Sequence, residues 1–89
     1  MINKEEVDIC IEWLKKQEQT KTINRNHTSY GYKHIVENYY KTYISNDSFK
    51  EAVRILDIKN TPVSFSSSNI YVALSEKTVK KYLRANKIY

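Results

Sequence analysis

The segment NRNHTSYGYKH, residues 24–34, gathers side chains that could bind an anion where a helix is predicted to begin. Thr28 or Ser29 suits the N-cap position, because a short side-chain oxygen accepts a hydrogen bond from a free N–H of the first turn. The other free N–H groups at a helix N-terminus favour a negative charge. This end of the helix is therefore a candidate site for a phosphate or an acidic side chain. The alternative, which is compatible with it, is that Asn and Thr serve to cap the helix. The residues expected to contact the phosphate or acidic side chain are Arg25, Asn26, His27, Thr28 and Ser29.

The same segment contains Gly31, the only glycine of the chain. Within a helix a glycine costs on the order of 1 kcal/mol relative to alanine, although the cost is smaller in the first turn. One explanation is that Gly31 allows the helix to pack closely on a neighbouring element. The other is that a ligand or another backbone approaches the helix at this point.

Tyr30 falls on the predicted polar face of this helix beside Lys33 and His34, since residues three and four apart share a face. An exposed aromatic ring among cations can stack on an unpaired base or fill a pocket on a protein partner. The alternative is a tyrosine that simply lies along the surface. Tyr30 and Lys33 are therefore candidate nucleic-acid contacts.

The last predicted helix, residues 76–87, is the second candidate site. At about 100° per residue its apolar side chains form a narrow stripe, and its cations gather on the other side. Such a face contacts the phosphates of a nucleic acid, with an affinity that falls as salt is added. The alternative is a solvated face whose cations interact favourably with the helix C-terminus. The cations are Lys77, Lys80, Lys81, Arg84 and Lys87.

The charge of the whole chain also favours a polyanionic partner. The 89 residues carry a net charge of +5, and the excess of basic residues is concentrated in residues 21–44 and 61–89. This length corresponds to a single small globular domain, residues 1–89. We therefore expect nucleic acid, DNA rather than RNA, as the partner.

Other classes of function have little support in the sequence. The single cysteine excludes an internal disulfide and fits a cytoplasmic protein. No long apolar run predicts a signal peptide or a membrane span. The two histidines lie seven residues apart, and the sequence has no metal-ligand spacing and no glycine-rich phosphate loop. We expect no enzyme activity, no metal, no cofactor and no membrane partner.

The first predicted helix, residues 4–18, has apolar side chains on two faces. Asn3 and Glu6 form a capping box at its start. A helix that is apolar on two sides either lies inside the core or contacts a partner chain. In the second case its second face is a protein interface, and a homodimer built on this helix is one form of that interface. The residues of the second face are Ile2, Ile9 and Trp13.

Three further elements are predicted before the last helix. Residues 19–28 are polar without periodicity and are expected to form a loop. A third helix begins at Ser45 or Ser48 and ends near Asp57. Alternation in residues 63–66, followed by the β-branched and aromatic run IYVAL, then predicts a hairpin with a short loop.

The second helix is predicted over residues 29–43, with one tyrosine-rich face buried and one polar face outward. The buried set is Tyr32, Ile35, Val36, Tyr39 and Tyr43, and the outward set is Tyr30, Lys33, His34, Glu37 and Lys41.

Together these elements predict a mainly α fold with a small β-hairpin, an α+β domain in the order α-α-α-β-β-α. The middle elements match a helix-turn-helix followed by a wing, so the domain is expected to be winged-helix-like. The third helix would then read the nucleic acid, with Lys50 and Arg54 contacting bases or sugars. Glu51 and Asp57 share that outward face and weaken the duplex-binding interpretation.

Three stretches, TINRNHTSYGYKHIVE, YISNDSFKEAV and NIYVALSEKTVK, resemble a pattern in short proteins of bacterial phages, plasmids and integrative elements. That pattern reads roughly His-[Thr/Ser]-Ser-Tyr-Gly-x-Lys-His, then Tyr-[Ile/Val]-[Ser/Thr]-Asn, then an aromatic strand before Ser-Glu-Lys, and it covers about residues 22–81. Residues 60–68 differ from it in being rich in serine. The resemblance implies a mobile genetic element as the setting. Many proteins of such settings either bind DNA or block host defence, as anti-CRISPR inhibitors do.

Two functions are therefore expected. In the first, a small phage or plasmid protein binds nucleic acid through its basic C-terminal helix and the polar loop before the second helix. In the second, it is an inhibitor that binds a host protein and occludes a nucleic-acid-handling enzyme of a defence system. The clustered cations favour the first, and the acids of the third helix favour the second.

Overall fold

Four helices and a three-stranded antiparallel sheet form the described part of the chain, which gives a small α+β fold. The structure is a computed structural model and describes residues 2–85, with the side chains of residues 2–83. None of the helices in this part is long and apolar enough to cross a membrane. The elements are α1 (Lys4–Lys15), β1 (Gln19–Asn24), α2 (Ser29–Tyr40), α3 (Asn46–Ile55), β2 (Asn60–Pro62), β3 (Ile70–Leu74) and α4 (Glu76–Ala85).

Side-chain caps define where the first three helices begin. Asn3, Thr28 and Ser45 each accept a hydrogen bond from the backbone N–H three residues later, at 3.1, 3.3 and 3.1 Å. Each bond satisfies one of the N–H groups that a helix start leaves free. The cap of α1 predicted from the sequence is confirmed, and the structure selects Thr28 over Ser29 and Ser45 over Ser48.

The predicted capping box at α1 is only half present. Glu6 does not return to the backbone of Asn3, which donates its N–H to Ser48 Oγ at 3.0 Å. The Glu6 carboxylate accepts the backbone N–H of Ser45 at 3.0 Å instead. The start of α1 is therefore joined to the start of α3 by two hydrogen bonds.

Residues 19–24 form strand β1, so the prediction of a loop over residues 19–28 is wrong for this stretch. The residues of this strand show no alternating apolar pattern, so local sequence does not predict it. The strand forms because it pairs with β3. Gln19 pairs with Leu74 and Asn24 with Val72, with an irregular register between them. The order is therefore α-β-α-α-β-β-α, with sheet order β1-β3-β2, instead of α-α-α-β-β-α.

The hairpin exists, but its first strand lies earlier than predicted. Asn60, Thr61 and Pro62 pair with β3, with Thr61 opposite Tyr71. Pro62 is acceptable because β2 is an edge strand, where a residue without an N–H costs no ladder bond. Residues 63–69 then form the connecting loop, which is closed by a hydrogen bond from Val63 N to Asn69 O at 3.0 Å.

Trp13 lies at the centre of the core with no exposed surface, so the prediction that it belongs to a protein interface is wrong. Its ring packs on Tyr32, Phe49 and Tyr82, with ring centres 6.1, 6.3 and 5.6 Å away. These rings come from α2, α3 and α4, which explains why α1 is apolar on two sides. Ile9, from the same predicted interface, packs partly buried against the core.

Candidate nucleic-acid interface

The loop before α2 is fastened to the start of α4 by the carboxylate of Glu76. His27 Nε2 lies 3.0 Å from both Glu76 oxygens, and Asn24 Nδ2 lies 2.9 Å from one of them. Partial burial opposes ionisation of Glu76, but the hydrogen bonds from Asn24 and His27 outweigh it, so its pKa lies below the ordinary value of 4.5. The acidic group that His27 contacts is therefore one from the chain itself, and it already engages Nε2.

Arg25 and Asn26 remain exposed beside this contact. The guanidinium carbon of Arg25 lies 5.2 Å from the centre of the Tyr71 ring, over the outer side of β3. The backbone N–H of Asn26 donates to Asn24 Oδ1 at 2.9 Å, and the exposed Asn26 side chain is also hydrogen bonded to the Glu76 carboxylate. Arg25 can therefore reach a ligand directly, whereas the Asn26 side chain would have to exchange its bond to Glu76 for one to the ligand.

Ser29 is fully buried, which contradicts its prediction as a phosphate contact. Its hydroxyl accepts the backbone N–H of Ile70 at 3.1 Å and donates to Asn69 Oδ1 at 3.4 Å. Asn46 Nδ2 donates to the same oxygen at 3.0 Å. The starts of α2, α3 and β3 therefore meet at Asn69, so Ser29 positions these elements and does not contact a ligand.

Lys33 is also buried, with 7% of its surface exposed, although it was predicted on the outward face of α2. Its Nζ donates to Glu37 Oε2 at 3.3 Å. The same atom lies 5.2 Å from the centre of the Tyr30 ring and 5.0 Å from that of Tyr43. The turn after α2 brings Tyr43 back over this face and covers the ammonium. Direct contact of Lys33 with a nucleic acid is therefore excluded.

Glu37 joins α2 to the turn that leads into α3. Its Oε2 accepts the backbone N–H of Ile44 at 3.0 Å, and its Oε1 lies 2.9 Å from His34 Nδ1. Burial opposes ionisation of Glu37, but the bond from Ile44 and the Lys33 ammonium lower its pKa below 4.5. The carboxylate is therefore held as an anion beneath the tyrosine rings.

Tyr30 is 53% exposed, in agreement with its predicted outward position. Tyr43 is 66% exposed and Tyr39 40%, although both were predicted to be buried. The reason for Tyr43 is that α2 ends at Tyr40, where Lys41 adopts a left-handed conformation with φ 58°. Helical spacing therefore no longer applies to Tyr43.

The cations on the outward face of α3 already form hydrogen bonds to other groups of the chain. Arg54 forms two hydrogen bonds to Glu51, at 2.8 and 2.6 Å, and Lys50 Nζ donates to Ser68 O at 2.6 Å. Together with Lys50, Glu51 and Arg54, Asp57 lines a cleft of about 430 Å³ beside α3. A duplex phosphate would have to compete with these carboxylates, so α3 is a poor surface for reading a duplex.

Three lysines of α4 form an exposed basic strip, which we define as Lys77, Lys80 and Lys81. Among the residues that the structure describes, none of the three forms an ion pair. Val79 is buried and Tyr82 packs on Tyr39, with ring centres 4.9 Å apart, so the opposite face of α4 attaches the helix to the domain. The predicted contacts at Lys87 and at the side chain of Arg84 lie outside the described residues.

Gly31 does not allow a close approach between elements. A Cβ atom added there would meet only Thr28 Oγ1, at 4.0 Å, which is an ordinary contact. The φ angle of Gly31 is not positive, so its backbone conformation does not require a glycine. The packing explanation is therefore wrong, and the space beside the first turn of α2 remains open.

The structure brings Arg25, Asn26 and the basic strip to one end of the domain through the contact between His27 and Glu76. It leaves Lys50 and Arg54 on the separate face of α3. Sequence reasoning missed Tyr43 and Tyr71, since only contacts distant in sequence place their rings. In residues 2–85, no group of three or more His, Cys, Asp or Glu side chains could hold a metal ion. No protein-family model, curated protein or solved structure matches the chain.

Proposed function

We propose that this protein binds nucleic acid, DNA rather than RNA, through the basic strip of α4 together with Arg25 and Asn26. The observation that carries the proposal is that Lys77, Lys80 and Lys81 are exposed and unpaired within the described residues. Free ammonium groups spaced along one helix face can neutralise successive phosphates and release their counterions. The net charge of +5 acts in the same direction.

The fold supports a winged-helix-like class as part of this proposal. Helices α2 and α3 are joined by a five-residue turn, and the β2–β3 hairpin extends a loop of seven residues beside α3, like a wing. Strand β1, between the first two helices, pairs with the second strand of this hairpin and so joins the hairpin to the rest of the domain. The resemblance to phage and plasmid proteins supplies the proposed setting, a mobile genetic element.

The test is the affinity for labelled DNA at two salt concentrations, measured by fluorescence anisotropy. The double variant Lys80→Glu/Lys81→Glu should lose binding by at least tenfold and show a shallower salt dependence, because two phosphate contacts become repulsive. The matched control is Lys15→Glu/Lys21→Glu, which makes the same charge change at two other exposed lysines that form no ion pair among the described residues. An equal loss in both variants would show that net charge, and not the strip, controls binding.

A second candidate function is a protein-binding inhibitor of a nucleic-acid-handling host enzyme. The observation that favours it is the surface between α1 and α3, where Ile2 and Ile55 are 56% and 49% exposed and line one recess beside Asp8 and Glu51. Exposed apolar side chains with charged neighbours are typical of a protein interface.

This second function predicts that the purified protein binds DNA weakly and inhibits the host enzyme when added to it. Ile2→Ser/Ile55→Ser should abolish inhibition while DNA affinity is unchanged. Inhibition that depends on Lys80 and Lys81 instead would assign the effect to competition for the nucleic acid.

A further inference from the structure

Two exposed tyrosine rings share one buried cation. Tyr30 lies in the first turn of α2 and Tyr43 in the turn after it, yet both ring centres lie within 5.2 Å of Lys33 Nζ. The rings are 53% and 66% exposed, whereas Lys33 is 7% exposed. Both tyrosine rings therefore face the solvent, while the buried ammonium of Lys33 fixes their positions.

The cation is itself held in place. Lys33 Nζ is hydrogen bonded to Glu37, and Glu37 is fixed by the backbone N–H of Ile44. His34 contacts the edge of the Tyr30 ring, with centres 4.6 Å apart and planes at 86°. Cation–π contacts with a desolvated ammonium are strong enough to restrict a surface ring. The two tyrosines are therefore pre-organised, which lowers the entropy cost of binding a flat ligand.

We propose that Tyr30 and Tyr43 form a stacking platform for the bases of single-stranded nucleic acid. This proposal rests on the proposed function, since the basic strip and Arg25 would bind the phosphates of the same strand. Bases in a duplex are stacked on each other and cannot reach such rings, whereas unpaired bases stack on tyrosine whatever their sequence. The platform therefore selects single-stranded over double-stranded nucleic acid.

The state of α3 favours a single strand over a duplex. In a helix-turn-helix, α3 would enter the major groove and its cations would contact the DNA. Here Arg54 is paired with Glu51, and Lys50 is bonded to the backbone of Ser68. Two exposed tyrosine rings lie instead at the start of α2 and in the turn before α3.

The test compares three probes by fluorescence anisotropy at one salt concentration: oligothymidine, an abasic strand with the same phosphates, and a duplex of the same length. We expect oligothymidine to bind best and the abasic strand to bind roughly tenfold or more weakly, since each stacked base contributes that order of affinity. Tyr30→Leu and Tyr43→Leu should each weaken binding of oligothymidine by roughly tenfold, the contribution of one stacked base, and the double variant should approach the abasic level. Tyr30→Phe and Tyr43→Phe should retain it, because the ring remains.

Thermal unfolding of each variant shows whether the fold is retained, and the phenylalanine variants keep the ring over Lys33. Equal affinity for all three probes, or no loss in the leucine variants, would overturn the platform while leaving salt-dependent binding through the basic strip intact. Tighter binding to the duplex would also overturn it. Absence of binding to every probe would overturn the proposed function and the platform with it.

Discussion

The Glu76 carboxylate lies 3.0 Å from Nε2 of His27, although 49 residues separate them in sequence. Asn24 donates to the same carboxylate and also to Leu74 O, the last backbone carbonyl of β3. The first turn of α4 is therefore attached both to the sheet and to the loop before α2. This attachment determines where the basic strip lies relative to Arg25.

Glu76→Gln should destabilise the protein by about 1.5–3 kcal/mol at neutral pH, the usual size of hydrogen bonds to a charged group. Because the pKa of Glu76 is lowered on folding, its contribution is fully present above 4.5 and is lost as pH falls through the lower folded pKa. Urea unfolding at neutral pH and at pH values below 4.5 measures this. The difference between wild type and Glu76→Gln should shrink in acid.

Glu18→Gln is the control, since Glu18 is exposed and its side chain forms no hydrogen bond or ion pair among the described residues. It should change stability by less than about 0.5 kcal/mol. A difference between wild type and Glu76→Gln that grows in acid would contradict the assigned direction of the pKa.

Gly31→Ala should stabilise the protein by about 0.5 kcal/mol. The added methyl group meets nothing closer than 4.0 Å, and alanine restricts the unfolded chain more than glycine does. Thermal unfolding measures this gain. Loss of nucleic-acid affinity in a stabilised Gly31→Ala variant would show that a ligand occupies the open space beside the first turn of α2.

Trp13→Ala should cost about 3–5 kcal/mol, a large share of the stability expected for a domain of this size. Trp13→Phe should cost much less, because Trp13 Nε1 is buried without a hydrogen-bond partner among the described residues and phenylalanine removes that donor. Urea unfolding measures both. Sedimentation of Trp13→Phe should match the wild type, since a buried ring cannot hold a dimer together.

Lys33→Met should cost about 1–3 kcal/mol, whereas Lys80→Met should be neutral within about 0.5 kcal/mol. The reason is that Lys33 is buried against Glu37, and its loss leaves that carboxylate without its cation. Lys80 is exposed and unpaired within the described residues. Chemical denaturation distinguishes them, and equal costs would contradict the buried position of Lys33.

The sequence by itself determined features that depend on residues three or four positions apart. Asn3, Thr28 and Ser45 cap helices that begin where a predicted cap stands, because capping is a bond across one turn, although the helices end earlier than predicted. Lys77, Lys80 and Lys81 are exposed on one helix for the same reason, since helical spacing decides which side chains point away from Val79. Local patterns also predicted the α+β class with a hairpin.

Only the tertiary structure decided what residues distant in sequence do to one another. Strand β1 forms because β3, about 50 residues away, provides its hydrogen-bonding partners. No local periodicity in the sequence predicts that pairing. Lys33 is buried because Tyr43 folds back over it, and Trp13 is internal because three other helices supply rings around it. A helical pattern tells which side chains share a face, but packing decides whether that face meets water, a ring or a carboxylate.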